Sequence, residues 1–391
     1  MDLDYWWLLA IPVVFGLGWM AARFDLKHLL SDAANLPRSY FRGLNFLLNE
    51  QPDKAIDAFI EVVKLDPETT ELHFALGSLF RRRGETERAI RVHQNLLNRA
   101  DLPVNERDHA LFELGQDFLK AGLLDRAEQT FTSIQAGLYQ TEAQGSLLTI
   151  FQTEKDWHKS IKAARTLEDA GTPSLRKEIS QFHCELAAEA LQRGDTQGAR
   201  DALAQALKTN EANVRATILL GDVEASAGNH SAALSFYTRV EKQNPVYLTL
   251  VAEPIMAAYN QLGKPAQGAT LLEDYLDRYP SSDLLDSAYK HVAAAEGGPA
   301  AHALALKQMR RAPSAAATLL LLDGQIAESE APRRDELELV RNLIRLRTRN
   351  LPRYTCQNCG FRARLFYWQC PGCGHWESYA PRRTETLGSA G

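Results

Sequence analysis

The sequence lacks most of the features that settle a function at sight. Cysteine is scarce, five in 391 residues, far below the density of a disulfide scaffold. Charge of one sign is also missing: 44 lysines and arginines against 49 aspartates and glutamates leave −5. That balance excludes a general electrostatic attraction of the whole chain to nucleic acid. There is no P-loop, no G-x-G-x-x-G after a strand, no H-E-x-x-H and no G-x-S-x-G. Histidines and carboxylates are scattered without a motif, so the chain is read as a non-enzyme with no catalytic residues and no organic cofactor. A mean hydropathy of −0.30 is too polar for a multi-span membrane protein, and 45% hydrophobic residues exclude wholesale disorder.

Long apolar runs are absent but for one. Tyr5 to Ala22 (YWWLLAIPVVFGLGWMAA) is 18 residues without a charge. As a helix it reaches about 27 Å, near the minimum for a bilayer core. Tyr5, Trp6 and Trp7 at one end and Trp19 near the other suit the two headgroup levels. A cleaved signal peptide would want a basic start, where this chain has Asp2 and Asp4. A buried soluble helix is the other alternative, and the length argues against it. Arg23 and Lys27 follow the run and no lysine or arginine precedes it, which orients the body of the chain to the cytoplasm.

What is abundant is a repeat. YFRGLNFLLNEQPDKAIDAFIEVVKLDP from Tyr40 aligns without a gap on FALGSLFRRRGETERAIRVHQNLL from Phe74. Gly43 and Gly77 are 34 residues apart, and so are Ala55 and Ala89, the tetratricopeptide period of two helices per unit. Registers at Gly43, Gly77, Gly115, Leu148, Ala187, Gly221 and Met256 give about seven units. Asp283 to Glu296 and Ala301 to Glu328 read as further, degenerate helices. Such arrays usually hold a partner along an inner groove. By register the groove-facing candidates are Tyr40, Phe74, Arg81, His109, Phe112, Gln116, Arg215 and Asp222. For each the competing reading is an ordinary solvated residue. The run Arg81, Arg82, Arg83 also suits a helix C-terminal dipole.

After an amphipathic helix around Leu337, Val340, Leu343 and Ile344 comes YTCQNCGFRARLFYWQCPGCGHW. Cys356, Cys359, Cys370 and Cys373 stand as C-x2-C-x10-C-x2-C, two knuckles closed by Gly360 and Gly374. Four thiolates at this spacing suit one tetrahedral Zn, or one Fe, with no position left for water or substrate. A cytoplasmic location argues against disulfides. His375 is a competing ligand that four cysteines make unnecessary. Cys184, alone in a helix, reads as a small buried apolar residue. The arginines between Arg341 and Arg364, with Phe361, Phe366 or Trp368 for base stacking, raise a nucleic-acid reading. A solvated face and a ribbon interior explain them more simply, so no nucleic-acid partner is expected. An electron-transfer role would need iron.

The order of span, repeats and C-x-x-C-G…C-P-x-C-G ribbon resembles the lipopolysaccharide assembly protein B family of Gram-negative bacteria. The resemblance rests on YFRGLNFLLNEQPDKAID, ELHFALGSLFRRRGE, CQNCGF and CPGCGHW. It implies a single-pass inner-membrane protein facing the cytoplasm that regulates lipopolysaccharide biosynthesis. Its implied partners are a membrane-anchored AAA+ zinc protease, the UDP-acyl-N-acetylglucosamine deacetylase of the lipid A pathway, whose degradation it promotes, and an inner-membrane lipopolysaccharide-sensing protein. The resemblance also implies that the four cysteines are the metal ligands. The alternative function is a scaffold gathering lipopolysaccharide synthesis and export proteins, and an oligomer is left open.

The expected fold is mainly α: a tetratricopeptide-repeat helical solenoid with one N-terminal transmembrane helix and a small C-terminal zinc-ribbon, rubredoxin-like module. The expected boundaries are an anchor at 1–23, a linker at 24–35, the array at 36–330, an amphipathic helix at 331–351, the ribbon at 352–380 and a flexible tail at 381–391.

Overall fold

The computed structural model describes residues 38–49, 51–65, 69–348 and 354–381. The apolar run Tyr5–Ala22 lies outside them, as do the linker and the tail from 382 on. Among the described residues no helix is long and apolar enough to cross a membrane. The chain divides after Glu154 into two compact units.

The first unit contains α1 (Arg38–Leu48), α2 (Pro52–Leu65), α3 (Thr70–Arg83), α4 (Thr86–Leu97), α5 (Val104–Lys120), α6 (Leu124–Thr132) and α7 (Gln140–Glu154). Helices pair in sequence order, α1 on α2, α3 on α4 and α5 on α6. The packing rule is visible sixteen residues apart. A Cβ built on Gly43 would come within 3.0 Å of Phe59, one on Gly77 would meet His93, and one on Gly115 would meet Phe131. Each glycine leaves room for an aromatic or imidazole ring from the second helix to approach the first helix's backbone closely. Phe59, His93 and Phe131 are all fully buried there.

His93 is the polar member of that series, and it brings a charge network with it. Its Nδ1 lies 2.5 Å from Asp117 of α5, whose side chain is also fully buried. Arg81 joins Asp117 at 2.7 Å and Glu113 at 2.5 Å. A buried carboxylate is tolerated because two cationic or N–H partners take its lone pairs. Burial alone would raise the Glu113 carboxyl; contacts from His109 and Arg81 outweigh it and bring it down to about 2. The arginine run therefore does more than face a helix end: Arg81 stitches α3 to α5, and Arg83 pairs with Asp53 and Glu85.

The second unit contains α8 (Trp157–Asp169), α9 (Arg176–Gln192), α10 (Thr196–Thr209), α11 (Val214–Ser226), α12 (His230–Gln243), a 3-10 turn (Pro245–Tyr247), α13 (Leu248–Gln261), α14 (Pro265–Arg278), α15 (Ser282–Glu296), α16 (Gly298–Arg311), α17 (Ala315–Glu328) and α18 (Arg333–Thr348). Starts are set by side-chain caps: Asp156, Asp195, Asn213 and Ser314 each accept the backbone N–H three residues on. The sixteen-residue rule persists with changed volumes. Gly221 again faces a ring, Tyr237, whereas Ala187 is paired with Leu203, Met256 with Leu272 and Ala288 with Leu304, all buried. As the first position grows, the second shrinks. This explains why α15 to α18 look degenerate in sequence while keeping the helix-pair form.

The last described segment holds a two-stranded hairpin, β1 (Tyr354–Thr355) and β2 (Arg362–Ala363), with Tyr354 opposite Ala363 and Thr355 opposite Arg362. Bridges Cys356–Tyr379 and Gln369–Trp376 close the module.

Candidate metal centre and its docking face

Each C-x-x-C turn is built alike. The N–H of Cys356 bonds the carbonyl of Phe361 at 2.8 Å, and that of Cys370 bonds His375 at 2.8 Å. Gly360 and Gly374 donate back to the first cysteine of their pair at 3.0 and 2.8 Å. Their φ values of +73° and +71° are left-handed, which explains glycine at both positions. The turns bring the four Sγ atoms within 4.8 Å of one another. Cys356 and Cys373 are 3.8 Å apart, and Cys359 and Cys370 are 3.7 Å apart. A tetrahedron of sulfurs about 2.3 Å from a zinc ion has edges of about 3.8 Å, so the donor set fits the metal that the spacing implied.

The surroundings favour the thiolate at Cys356 and Cys373, whereas at Cys359 the Phe361 backbone N–H is outweighed by desolvation and the neighbouring sulfurs, which push the thiol up to about 12. Asn358 Nδ2 donates to Cys373 Sγ at 3.5 Å, and the Ser378 and Tyr379 hydroxyls lie 3.3 and 3.6 Å from Cys356 and Cys370. The Asn358 amide and the His375 backbone N–H hold the Cys373 thiol down to about 6. His375 is not among the gathered ligands; its Nδ1 sits 3.1 Å from Asn358 Nδ2. Cys184 is fully buried, 3.9 Å from Asn213 Oδ1, and burial pushes its thiol up to about 12, so it is an inert packing residue.

The ribbon is seated on the repeat helices of its own unit. Trp376, 5% exposed, meets Trp157 of α8 and Phe182 of α9 edge-on at centroid distances of 6.3 and 6.1 Å. Trp368 stacks on Tyr247 at 5.4 Å and 14°. Between them the Arg215 guanidinium lies 5.9 Å from both indole rings and pairs with Glu185 at 2.8 Å. Glu377 holds an unusual φ of +51°, which suits its carboxylate accepting from Gln181 at 2.6 Å and lying 3.4 Å from Lys177. Thr249 donates to the Pro381 carbonyl at 3.0 Å. The seat thus uses α8, the 3-10 turn and the first helices α9, α11 and α13.

The groove candidates divide accordingly. Arg215 is under the ribbon. Asp222, also in α11, accepts from the Tyr237 hydroxyl at 2.7 Å. In the first unit Phe74, His109 and Tyr139 form a ring stack with centroids 3.9 and 4.7 Å apart, and Phe112 lies 5.4 Å from Tyr139. Gln116 donates to Ser146 at 2.9 Å, and Arg81 is held in its ion pairs. The side chain of Tyr40, in α1, lies outside the described set. Of the residues considered for base stacking, Phe366 and Trp368 are packed against the array, and Phe361 is exposed. The docking residues Trp157, Lys177, Gln181, Phe182, Tyr247 and Glu377 are not apparent from the sequence alone. One signal was there: a module too small for a core carries Phe366, Trp368 and Trp376, which it cannot bury by itself.

Known families match the same parts. The rubredoxin metal binding domain matches residues 354–381. The tetratricopeptide repeat matches residues 42–101, 184–247 and 255–282. Lipopolysaccharide assembly protein B of Escherichia coli K12 is 35% identical over 378 residues, 96% of this chain and 97% of the relative. The chain belongs to the lipopolysaccharide assembly protein B family. The family's protein from Haemophilus influenzae Rd is 29% identical over 385 residues, covering 95% of this chain and 97% of its own. A solved tetratricopeptide repeat protein from Parabacteroides merdae aligns with 74% of this chain and 100% of its own at 15% identity and a TM-score of 0.25, too distant to carry an argument.

Proposed function

We propose that this member of the lipopolysaccharide assembly protein B family is a non-catalytic adaptor that regulates lipopolysaccharide biosynthesis. In this reading residues 1–23 tether it to the bacterial inner membrane with the repeats in the cytoplasm. The adaptor promotes degradation of the lipid A pathway UDP-acyl-N-acetylglucosamine deacetylase by a membrane-anchored AAA+ zinc protease, and it contacts an inner-membrane lipopolysaccharide-sensing protein. The observation that carries the reading is family membership over nearly the whole chain, in a fold made of helical repeats that commonly hold other proteins. Tethering would supply effective concentration at the membrane rather than new contacts. A zinc or iron ion held by Cys356, Cys359, Cys370 and Cys373 would fix the ribbon's two turns and hence the surface that Trp368 and Trp376 present to the array.

Pulse-chase of the deacetylase in cells whose only copy lacks Met1–Ala22 tests this. A lengthened half-life is expected. An unchanged half-life on complete depletion of the protein, with loss of complexes among synthesis and export proteins, would replace the adaptor by a scaffold.

A further inference from the structure

Solenoids usually end on a helix with a polar outer face, because no further repeat covers it. Here α18 is the last repeat helix, and it does the opposite. It packs on α17, with Leu337, Arg341 and Ile344 half-buried, and Arg341 and Arg345 pair with Asp323 of α17 at 3.3 and 2.8 Å. On the side turned away, Leu339, Val340, Leu343 and Leu346 are 63%, 46%, 55% and 66% exposed. At 100° per residue Leu339, Leu343 and Leu346 fall within about 60° of one another with Val340 beside them, one continuous stripe. Apolar stripes rimmed by charge mark interaction surfaces.

The charges at the rim identify the occupant. Asp335 and Glu336 lie in the first turn and Arg347 in the last. Glu336 and Arg347 border the stripe on the same flank, and neither has an ion-pair partner among the described residues. We propose that this face pairs with the same face of a second copy of the chain, helix antiparallel to helix about a two-fold axis. The register that sets Glu336 against Arg347 of the copy also sets Val340 against Leu343, and the two-fold axis repeats both contacts. Such self-complementarity is what an isologous interface requires. A membrane surface fits less well: the stripe has no aromatic residue, and Asp335 and Glu336 would face anionic headgroups. A single helix from each copy is a small interface by the standard of stable complexes, so the pair is expected to be weak in dilute solution.

The test uses the full-length chain at native abundance in isolated membranes of the expressing cell, with a short bismaleimide cross-linker. Leu343→Cys is expected to give a covalent homodimer, and Glu338→Cys, on the flank turned from the stripe, none. Glu336→Arg and Arg347→Glu introduced singly beside Leu343→Cys should each cut the dimer yield at least fivefold, and the double reversal should restore it. Unchanged ribbon metal content and helical circular dichroism establish that the variants fold. Absence of the homodimer overturns the proposal, as does a yield indifferent to charge reversal or not restored by the double variant. A fluorescent label on Leu343→Cys quenched by spin-labelled lipid would assign the stripe to the membrane instead.

Discussion

At the scale of single residues, the space left by a glycine decides how close two helices come. Gly77→Ala would drive a methyl into the His93 ring, which is pinned by Asp117 and cannot retreat. Overpacking of this kind costs about 1–3 kcal/mol, so the urea midpoint of the variant should fall. Gly145 in α7 has nothing within 4 Å, and Gly145→Ala should leave stability unchanged or raise it by about 0.5–1 kcal/mol through helix propensity. Equal losses at both sites would refute the close-approach account. Titration separates two other residues. Burial first, then Arg165 and His158, depress His183 to about 4 from an ordinary value of 6.5. Between those values the unfolded chain binds the proton and the folded chain does not, so stability falls as pH drops from 6.5 to 4. His183→Asn should flatten that part of the stability–pH curve. Glu113, at about 2, acts in a lower window: its contribution is complete above 4.5 and is lost as pH falls toward 2. Glu113→Gln should leave the span from pH 6.5 to 4.5 untouched.

At the scale of elements, the ribbon shares one apolar and charged seam with α8, α9, α11, the 3-10 turn and α13. Trp376 is its anchor, because two rings and a guanidinium surround it and its neighbour Glu377 fixes the approach. Trp376→Ala should cost about 3–5 kcal/mol of docking and packing. Limited proteolysis is then expected to release the ribbon from the array far faster than in the wild type, with the metal still bound. Simultaneous loss of metal would mean that the ribbon cannot fold without the array. Arg215→Ala should act in the same direction more weakly, since Trp368 keeps its stack on Tyr247. The repeat period and the cysteine turns were legible at this scale because both are local spacings. The seam was not, because Gln181 and Glu377 are 196 residues apart and no sequence period links them.

At the scale of the whole molecule, the metal is expected to couple the ribbon to the second unit alone. Cys356→Ser should release the ion and loosen the turns, because the module is too small to hold its own core. Freed indoles at positions 157, 368 and 376 should then shift tryptophan emission to the red and lower the melting temperature of the second unit. The first unit has its own core and ion network, so hydrogen exchange in α3 to α5 should be unchanged. Normal metal content in the variant would show that the site is misassigned.

The period, the helical class and the four gathered cysteines are legible in the sequence, since each follows from residues spaced along one stretch of chain. The same stretches also indicated the family. The degenerate end at α15 to α18 stayed obscure because volume is conserved there across a pair, Ala288 with Leu304, rather than identity at one position. Packing in three dimensions sets Arg215 beneath the ribbon, commits Arg81 to Glu113 and Asp117, and leaves the leucine stripe of α18 exposed among the described residues. Those outcomes depend on which surfaces meet, and surfaces far apart in sequence meet through geometry that no local pattern encodes.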